Sequence, residues 1–286
     1  MKHLIVTADD FGAAREVNDA VEHAHRHGIL TAASLMVAAP AAADAVARAK
    51  AMPSLRVGLH LVLVEGRPAL PPAAIPDLVD PTGHFRTDMA RAGAAMFFRP
   101  KVRRQLDAEI TAQFAAFAAT GLPLDHVNTH KHFHLHPTIA GAILRIGTSY
   151  GMRAMRVPME PRAVLAAVEP GAPTPPPVIT WPWAALLRRR LRRAGQHVPD
   201  AVFGLAWSGA MTPARVRGLL THLPEGLSEI YLHPATSGSF AGAAPGYQYK
   251  EELTALTDPD VMATRHSPLI RLGGFSDFIP GTAHAL

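Results

Sequence analysis

Two adjacent carboxylates, Asp9 and Asp10, follow the apolar run Leu4-Ile5-Val6 and stand in the string Thr7-Ala8-Asp9-Asp10-Phe11-Gly12. Neighbouring negative charges repel, and partial burial raises that cost, so a bound cation or a proton on one carboxyl is the natural relief. The competing reading makes one aspartate the cap of a helix beginning near Ala13 and leaves the other in water. His60 lies inside the apolar string Val57-Gly58-Leu59-His60-Leu61-Val62-Leu63, where alone it reads as well as a core histidine. The segment Asp125-His126-Val127-Asn128-Thr129-His130-Lys131-His132-Phe133-His134-Leu135-His136-Pro137 is more specific. It interleaves imidazoles with other residues over a strand end and its loop, so alternate rings are expected to point the same way. His233, in Ser228-Glu229-Ile230-Tyr231-Leu232-His233-Pro234, is either an acid/base group or an anchor for the loop before Pro234.

Asp10, His60 and His130 together offer one hard and two borderline donors, the set that a catalytic divalent metal uses while keeping positions open for water and substrate. Mg or Zn suits such a set, as do Mn and Co, because availability often decides among them. Asp9, beside the metal-bound water, is then placed to accept its proton, and His233 to protonate a leaving group.

These residues need elements that bring them together. Short aliphatic or β-branched runs at 3–8, 30–37, 55–63, 124–129, 153–157, 201–207, 228–233 and 268–272 read as strands. Helical periodicity lies between them, near 14–27, 41–51, 101–119, 138–150, 212–222 and 249–265, with Gly28 a C-cap and Pro213 a first-turn proline. Such alternation predicts a parallel sheet. In a closed barrel or an open sheet alike, the site gathers at the carboxyl ends of the strands. The chemistry-bearing residues fall there: Asp9 and Asp10 after the first strand, His60 at the third, the histidine tract after the fourth, Arg156 at the fifth, Trp207 at the sixth and His233 at the seventh. One domain over 1–286 is expected, interrupted by insertions at about 64–99 and 160–200.

The composition narrows the classes. At 286 residues with 48% hydrophobic and 18% charged side chains, the chain can bury a real core. The absence of cysteine excludes a disulfide scaffold, a thiolate metal site and a cysteine nucleophile. The formal charge of +5 is local, since Arg188, Arg189, Arg190, Arg192 and Arg193 share one short window, and a nucleic-acid partner is not expected. The N-terminal run Leu4-Ile5-Val6 is too short for a signal-peptide core, and the longest apolar stretch, Gly28 to Ala43, falls short of a membrane span, so a cytoplasmic protein is expected. If 181–195 is helical, Trp183, Leu187, Leu191 and Ala194 share a face among the arginines. A basic helix with tryptophan on its apolar face reads as a peripheral membrane anchor, or as a solvated helix covering the barrel.

The segments Thr7–Gly12, Gly58–Leu63, His126–Pro137 and Tyr231–Pro234 resemble, in order and spacing, the four motifs of the YdjC-like carbohydrate deacetylase family. The resemblance covers nearly the whole chain. It implies an α/β fold, an irregular (β/α) barrel of about seven to eight strands similar to polysaccharide deacetylases, with a divalent metal and hydrolysis of an N-acetyl group from an amino sugar. By this resemblance the metal falls on Asp10, His60 and His130, the base on Asp9 and the acid on His233. Arg156, His132, His134 and Trp207 are the candidate substrate contacts, with an ion pair to Asp9 as the other reading of Arg156. Many members carry an aspartate where this chain has Asn128, which alters the charge behind a ligand histidine. The strings Asn128–Pro137 and Arg156-Val157-Pro158-Met159-Glu160-Pro161 resemble the hopanoid-biosynthesis branch, which implies an N-acetylglucosaminyl group carried on a lipid. Soluble chito-oligosaccharides, phosphoester hydrolysis, or a non-catalytic membrane-surface or nucleic-acid module are the alternatives, and a homodimer stays open.

Overall fold

The computed structural model describes residues 1–173 and 177–279. Pro175 and Pro176, in the proline-rich start of the second expected insertion, lie outside the described residues. The strands are β1 (Lys2–Phe11), β2 (Ala32–Leu35), β3 (Arg56–Leu61), β4 (Val127–Thr129), β5 (Ala201–Phe203), β6 (Gly226–Leu232) and β7 (Ile270–Leu272). The helices are α1 (Arg15–His27), α2 (Ala42–Lys50), α3 (Met89–Phe98), α4 (Pro100–Ala119), α5 (Pro137–Ser149), α6 (Arg162–Val168), α7 (Pro177–Arg193), α8 (Pro213–Thr221), α9 (Tyr249–Thr257) and α10 (Pro259–Met262).

Every strand pairing is parallel, in the order β4-β3-β2-β1-β6-β5, with β7 added beside the first residues of β1. The central strand is buried on both faces, which accounts for the unbroken apolar run Leu4-Ile5-Val6 where a half-exposed strand would alternate. The sheet curls until its edges β4 and β5 face one segment, 153–159. Val127 N–H donates to Ala154 O (3.1 Å), Arg156 N–H to Val127 O (3.1 Å), Met155 N–H to His197 O (3.0 Å) and Val202 N–H to Met159 O (2.9 Å). An irregular (β/α) barrel results. The strand expected over 153–157 survives as isolated bridges at Ala154 and Met155, because Pro158 has no N–H with which to extend a ladder.

The strand expected over 201–207 stops at Phe203, since the N–H groups of Gly204, Leu205 and Ala206 turn to the buried carboxylate of Glu160. On the outside, α1 turns Val17, Ala20, Val21 and Ala24 inward, and α4 does the same with Leu106, Ile110, Phe114 and Phe117. Each such buried large side chain contributes roughly 1.5–3 kcal/mol relative to exposure. Gly28 ends α1 where a Cβ would stand 2.3 Å from Leu256 O, so the close approach of the last turn of α9 requires glycine.

The first expected insertion is a loop followed by α3. Its start is tied to α4, where the Glu109 carboxylate accepts from Ala69 N–H (2.7 Å) and Leu70 N–H (3.0 Å), and Gln113 bonds both backbone groups of Val62.

In α7 the inward face is Ala184, Leu187 and Leu191, all buried, while Ala194 is exposed and Trp183 is 46% exposed. The face expected from Trp183, Leu187, Leu191 and Ala194 is thus divided, because the leucines are consumed in packing against the rest of the protein, α5 included.

Candidate active site

At the carboxyl end of β1 the register against β2 shifts between Ala8 and Phe11, and Asp10 takes φ of +62°. In a regular strand Asp9 and Asp10 would point to opposite faces. The left-handed step, about 1–2 kcal/mol unfavourable for an L-residue, brings both carboxylates to one cavity. The bulge is held by Gly12, at φ +95°, whose N–H donates to buried Asn18 Oδ1 at 2.8 Å. Neither aspartate caps a helix, for the N-cap position of α1 is Ala14, with no side-chain cap.

Asp10 Oδ1 lies 3.2 Å from His60 Nε2 and 3.3 Å from His130 Nδ1, and one donor atom from each of the three residues falls within 4.8 Å of the others. His60 Nδ1 is 2.7 Å from Asn128 Oδ1. The Asn128 amide must turn its Nδ2 to Asp9 Oδ1 (3.1 Å), which can only accept, and to Ser34 Oγ (2.9 Å), so its oxygen faces His60. The His60 proton therefore sits on Nδ1, and the Nε2 lone pair faces Asp10. Asp10 Oδ1 and His60 Nε2 are both buried without a hydrogen-bond partner. Burial acts against charge on His130, but the Asp10 carboxylate beside it prevails and raises its pKa. Lone pairs converging from one oxygen and two ring nitrogens are the donor set of a divalent cation, and these residues fit one.

Asp9 is held from beneath. Arg156, fully buried, donates from Nη1 to Asp9 Oδ2 (2.5 Å) and from Nη2 to Asp9 Oδ1 (2.9 Å), and its other contacts go to Glu229 Oε2 (3.0 Å) and Oε1 (2.7 Å). Thr7 Oγ1 donates to Glu229 in turn, and the guanidinium stands 4.3 Å from the Tyr231 ring centroid. Burial would raise the Asp9 carboxyl, but the Arg156 charge outweighs it and holds the group well below the usual carboxylate range.

The histidine tract does not run on as an extended strand. Lys131 and His132 both take left-handed backbone, φ +54° and +53°, inside a short helical turn over His130–Leu135. The expectation that alternate imidazoles share one side is corrected by that turn, which sends each ring elsewhere. His130 meets Asp10, His132 Nε2 lies 2.9 Å from Tyr231 Oη, and His134 Nδ1 lies 2.6 Å from Thr129 Oγ1. His136 stacks edge-on with Phe97 and Phe133 at the start of α5. Burial pushes His132 far below an ordinary imidazole and His134 down to about 3, so both are neutral.

His233 follows β6, and its N–H donates to Glu252 Oε2 while its Nδ1 lies 4.0 Å from the same oxygen. Glu252 is buried in α9 and also accepts from Met211 N–H at 3.0 Å. Asp9, Asp10, His130 and His233 open into one cavity of about 460 Å³, whose outer wall includes Glu65 and Arg67 from the first insertion. Of the expected substrate contacts, Arg156, His132, His134 and Trp207 are not in that wall. Arg156 and His134 are buried, and so is Trp207, beneath the Arg215 guanidinium (5.3 Å to the ring).

Sequence reasoning did not single out Glu229, Glu252 or Ser34 as partners of the site. The signal for Glu252 was its position on the same helical face as Tyr249, Ala255 and Leu256, where a charge must find a partner.

A curled parallel barrel with an Asp-His-His donor cluster at its strand ends defines the class, an α/β-barrel protein whose donor cluster fits a divalent cation. The chain belongs to the YdjC-like protein family, whose model matches residues 3–266. A carbohydrate deacetylase of Geobacillus stearothermophilus is 30% identical over 281 residues, covering 97% of this chain and 98% of that one. A carbohydrate deacetylase of Brevibacillus brevis is 40% identical over 147 residues, and there the match spans 51% of this chain and 56% of the relative, about half of each. Among solved structures, one described as a candidate cellobiose-phosphate cleavage protein of Enterococcus faecalis superposes with a TM-score of 0.75 at 24% identity, covering 97% of this chain and 99% of that chain. At that identity the likeness bears on the fold.

Proposed function

We propose that this chain is a metal-dependent carbohydrate deacetylase that hydrolyses the N-acetyl group of an amino sugar. The observation that carries the reading is the Asp10-His60-His130 donor cluster, whose Asp10 and His130 line one cavity with Asp9 and His233. The names of the relatives support it. A divalent cation on Asp10, His60 and His130 would supply Lewis acidity to the amide carbonyl and lower the pKa of water. Asp9 accepts the proton of the attacking water; Arg156 and Asn128 hold its two oxygens, so the carboxylate is ionised and fixed in direction before substrate arrives. His233, steadied by Glu252, gives a proton to the departing amine as the C–N bond breaks and acetate leaves. Arg156 and His134 act in this scheme by positioning, Arg156 on Asp9 and His134 on Thr129 at the end of β4.

For the substrate, the finer reading is an N-acetylglucosaminyl group on a lipid of the hopanoid type, and the alternative is a soluble chito-oligosaccharide. The test is acetate release by the purified protein from an N-acetylglucosaminyl hopanoid and from N,N′-diacetylchitobiose, each with chelator-stripped and metal-restored protein. Metal-dependent acetate from the lipid substrate supports both levels. Acetate from the disaccharide alone retains the deacetylase and removes the lipid, whereas none from either removes the activity. Loss of bound metal in His60→Ala is the expected companion result, and unchanged metal content there would overturn the ligand set.

A further inference from the structure

Four large apolar side chains are left in water on two helices that share α5 as a neighbour: Phe97 (48% exposed) and Phe98 (75%) at the end of α3, Trp183 (46%) and Leu186 (53%) on α7. Both helices pack against α5, and α7 also packs on the turn over His130–Leu135. The Phe97 ring lies 6.2 Å from that of His136, at the start of α5. This surface thus flanks the segment that carries the ligand His130.

On α7, with Ala184, Leu187 and Leu191 inward, the spacing i, i+3, i+7, i+10 places Trp183, Leu186, Arg190 and Arg193 on the outward side. The apolar residues occupy its first part and the cations its second. Arg190 lies down over Gly141 of α5. Arg188, Arg189, Arg192 and Arg193 ring one shallow surface depression. Among the described residues only Arg192 of these has an acidic partner, Asp200 at 2.7 Å. Crowded like charges without counter-charges call for an anionic partner. A nucleic acid would answer the arginines and leave Phe98 and Leu186 in water. The surface of an anionic bilayer answers both, because its headgroups meet the cations and its acyl boundary takes the aromatic and aliphatic groups.

We propose that the face formed by the end of α3 and the outward side of α7 docks this protein on an anionic membrane surface. The docking stands on this surface alone; only its consequence, that the deacetylated sugar is carried in the membrane, rests on the function proposed above.

The experiment is co-sedimentation of the full chain with vesicles of phosphatidylcholine alone and of equal parts phosphatidylcholine and phosphatidylglycerol. Two surface variants, Arg189→Gln/Arg193→Gln and Leu186→Ser/Phe98→Ser, are compared with the parent after their thermal unfolding midpoints show that they fold. The parent is expected to sediment with the anionic vesicles and to remain in solution with the neutral ones. Each variant should lose roughly tenfold or more in partitioning. Failure of the parent to bind anionic vesicles, equal binding by either variant, or capture by duplex DNA with vesicles ignored would each overturn the proposal. Because sedimentation needs no turnover, its failure is distinct from failure of the deacetylase reading.

Discussion

Asn128 shows how much one side chain can be asked to do. It accepts from His60 Nδ1–H through its oxygen and donates to Asp9 and Ser34 through its nitrogen, so the tautomer of a proposed metal ligand and the direction of the proposed base share one amide. An aspartate at this position would put another carboxylate beside Asp9; asparagine keeps the acceptor for His60 without that repulsion. Asn128→Ala is expected to weaken divalent-metal affinity about 10–100-fold. Competition against a metal-sensitive chelator measures it, and an unchanged affinity would refute the role. Asp9→Asn keeps the shape but not the basicity. It is expected to lower the rate of acetate release by about 10²-fold or more with metal content intact; a variant of parental rate and full metal content would remove Asp9 as the base. The donor trio was legible because Asp10, His60 and His130 fall at or near the carboxyl ends of apolar strands, where the polar chemistry of a parallel sheet gathers. Glu229, in Ser-Glu-Ile-Tyr, looks like the solvent-facing member of an alternating strand, and its pairing with Arg156 exists only once β6 lies beside β1.

At the scale of elements, the helix–strand rhythm was readable and its interruptions were not. The strand over 153–157 and the tail of 201–207 gave way for backbone reasons, a missing N–H at Pro158 and the Glu160 carboxylate collecting three amides. The apolar face of α7 was assigned from spacing, yet Leu187 and Leu191 face inward while Trp183 and Ala194 stay out, because a single helix cannot say which neighbour will cover it. The first insertion is tied down by Glu109 through the amides of Ala69 and Leu70, just beyond the cavity residues Glu65 and Arg67. Glu109→Ala leaves two half-buried amides without their partner, at most about 1–3 kcal/mol each. The expected outcome is faster hydrogen exchange at Ala69 and Leu70 and a raised KM with kcat less affected. Parental exchange at both amides would show that the loop is held otherwise.

For the molecule as a whole, Asp125 ties the end of the described chain to the barrel. Its carboxylate accepts from Phe275 N–H (3.1 Å) and Ser276 N–H (2.8 Å) and pairs with His126 Nδ1 (2.9 Å). Burial would raise its pKa, but the His126 bond and charge and the Ser276 contacts prevail and lower it. A carboxyl depressed in the folded state gives stability that is whole above its unfolded pKa, near 3.9, and is lost as pH falls through the folded value. The unfolding free energy of the parent should exceed that of Asp125→Asn by roughly 1–3 kcal/mol at neutral pH. The gap should close as pH falls below about 4; a gap independent of pH would dismiss the charge as its origin.

What the sequence by itself determined is the inventory: which residue types stand at strand ends, that the strands are parallel, and that the ligands are oxygen and nitrogen since no thiol exists. Periodicity and residue chemistry are local properties, readable in a string. The tertiary structure alone decided direction and partnership: the bulge that turns Asp9 and Asp10 into one cavity, the left-handed pair that scatters the histidine tract, and the buried Arg156 between Asp9 and Glu229. These depend on contacts between residues far apart in the chain, whose desolvation and pairing energies arise only when the barrel closes.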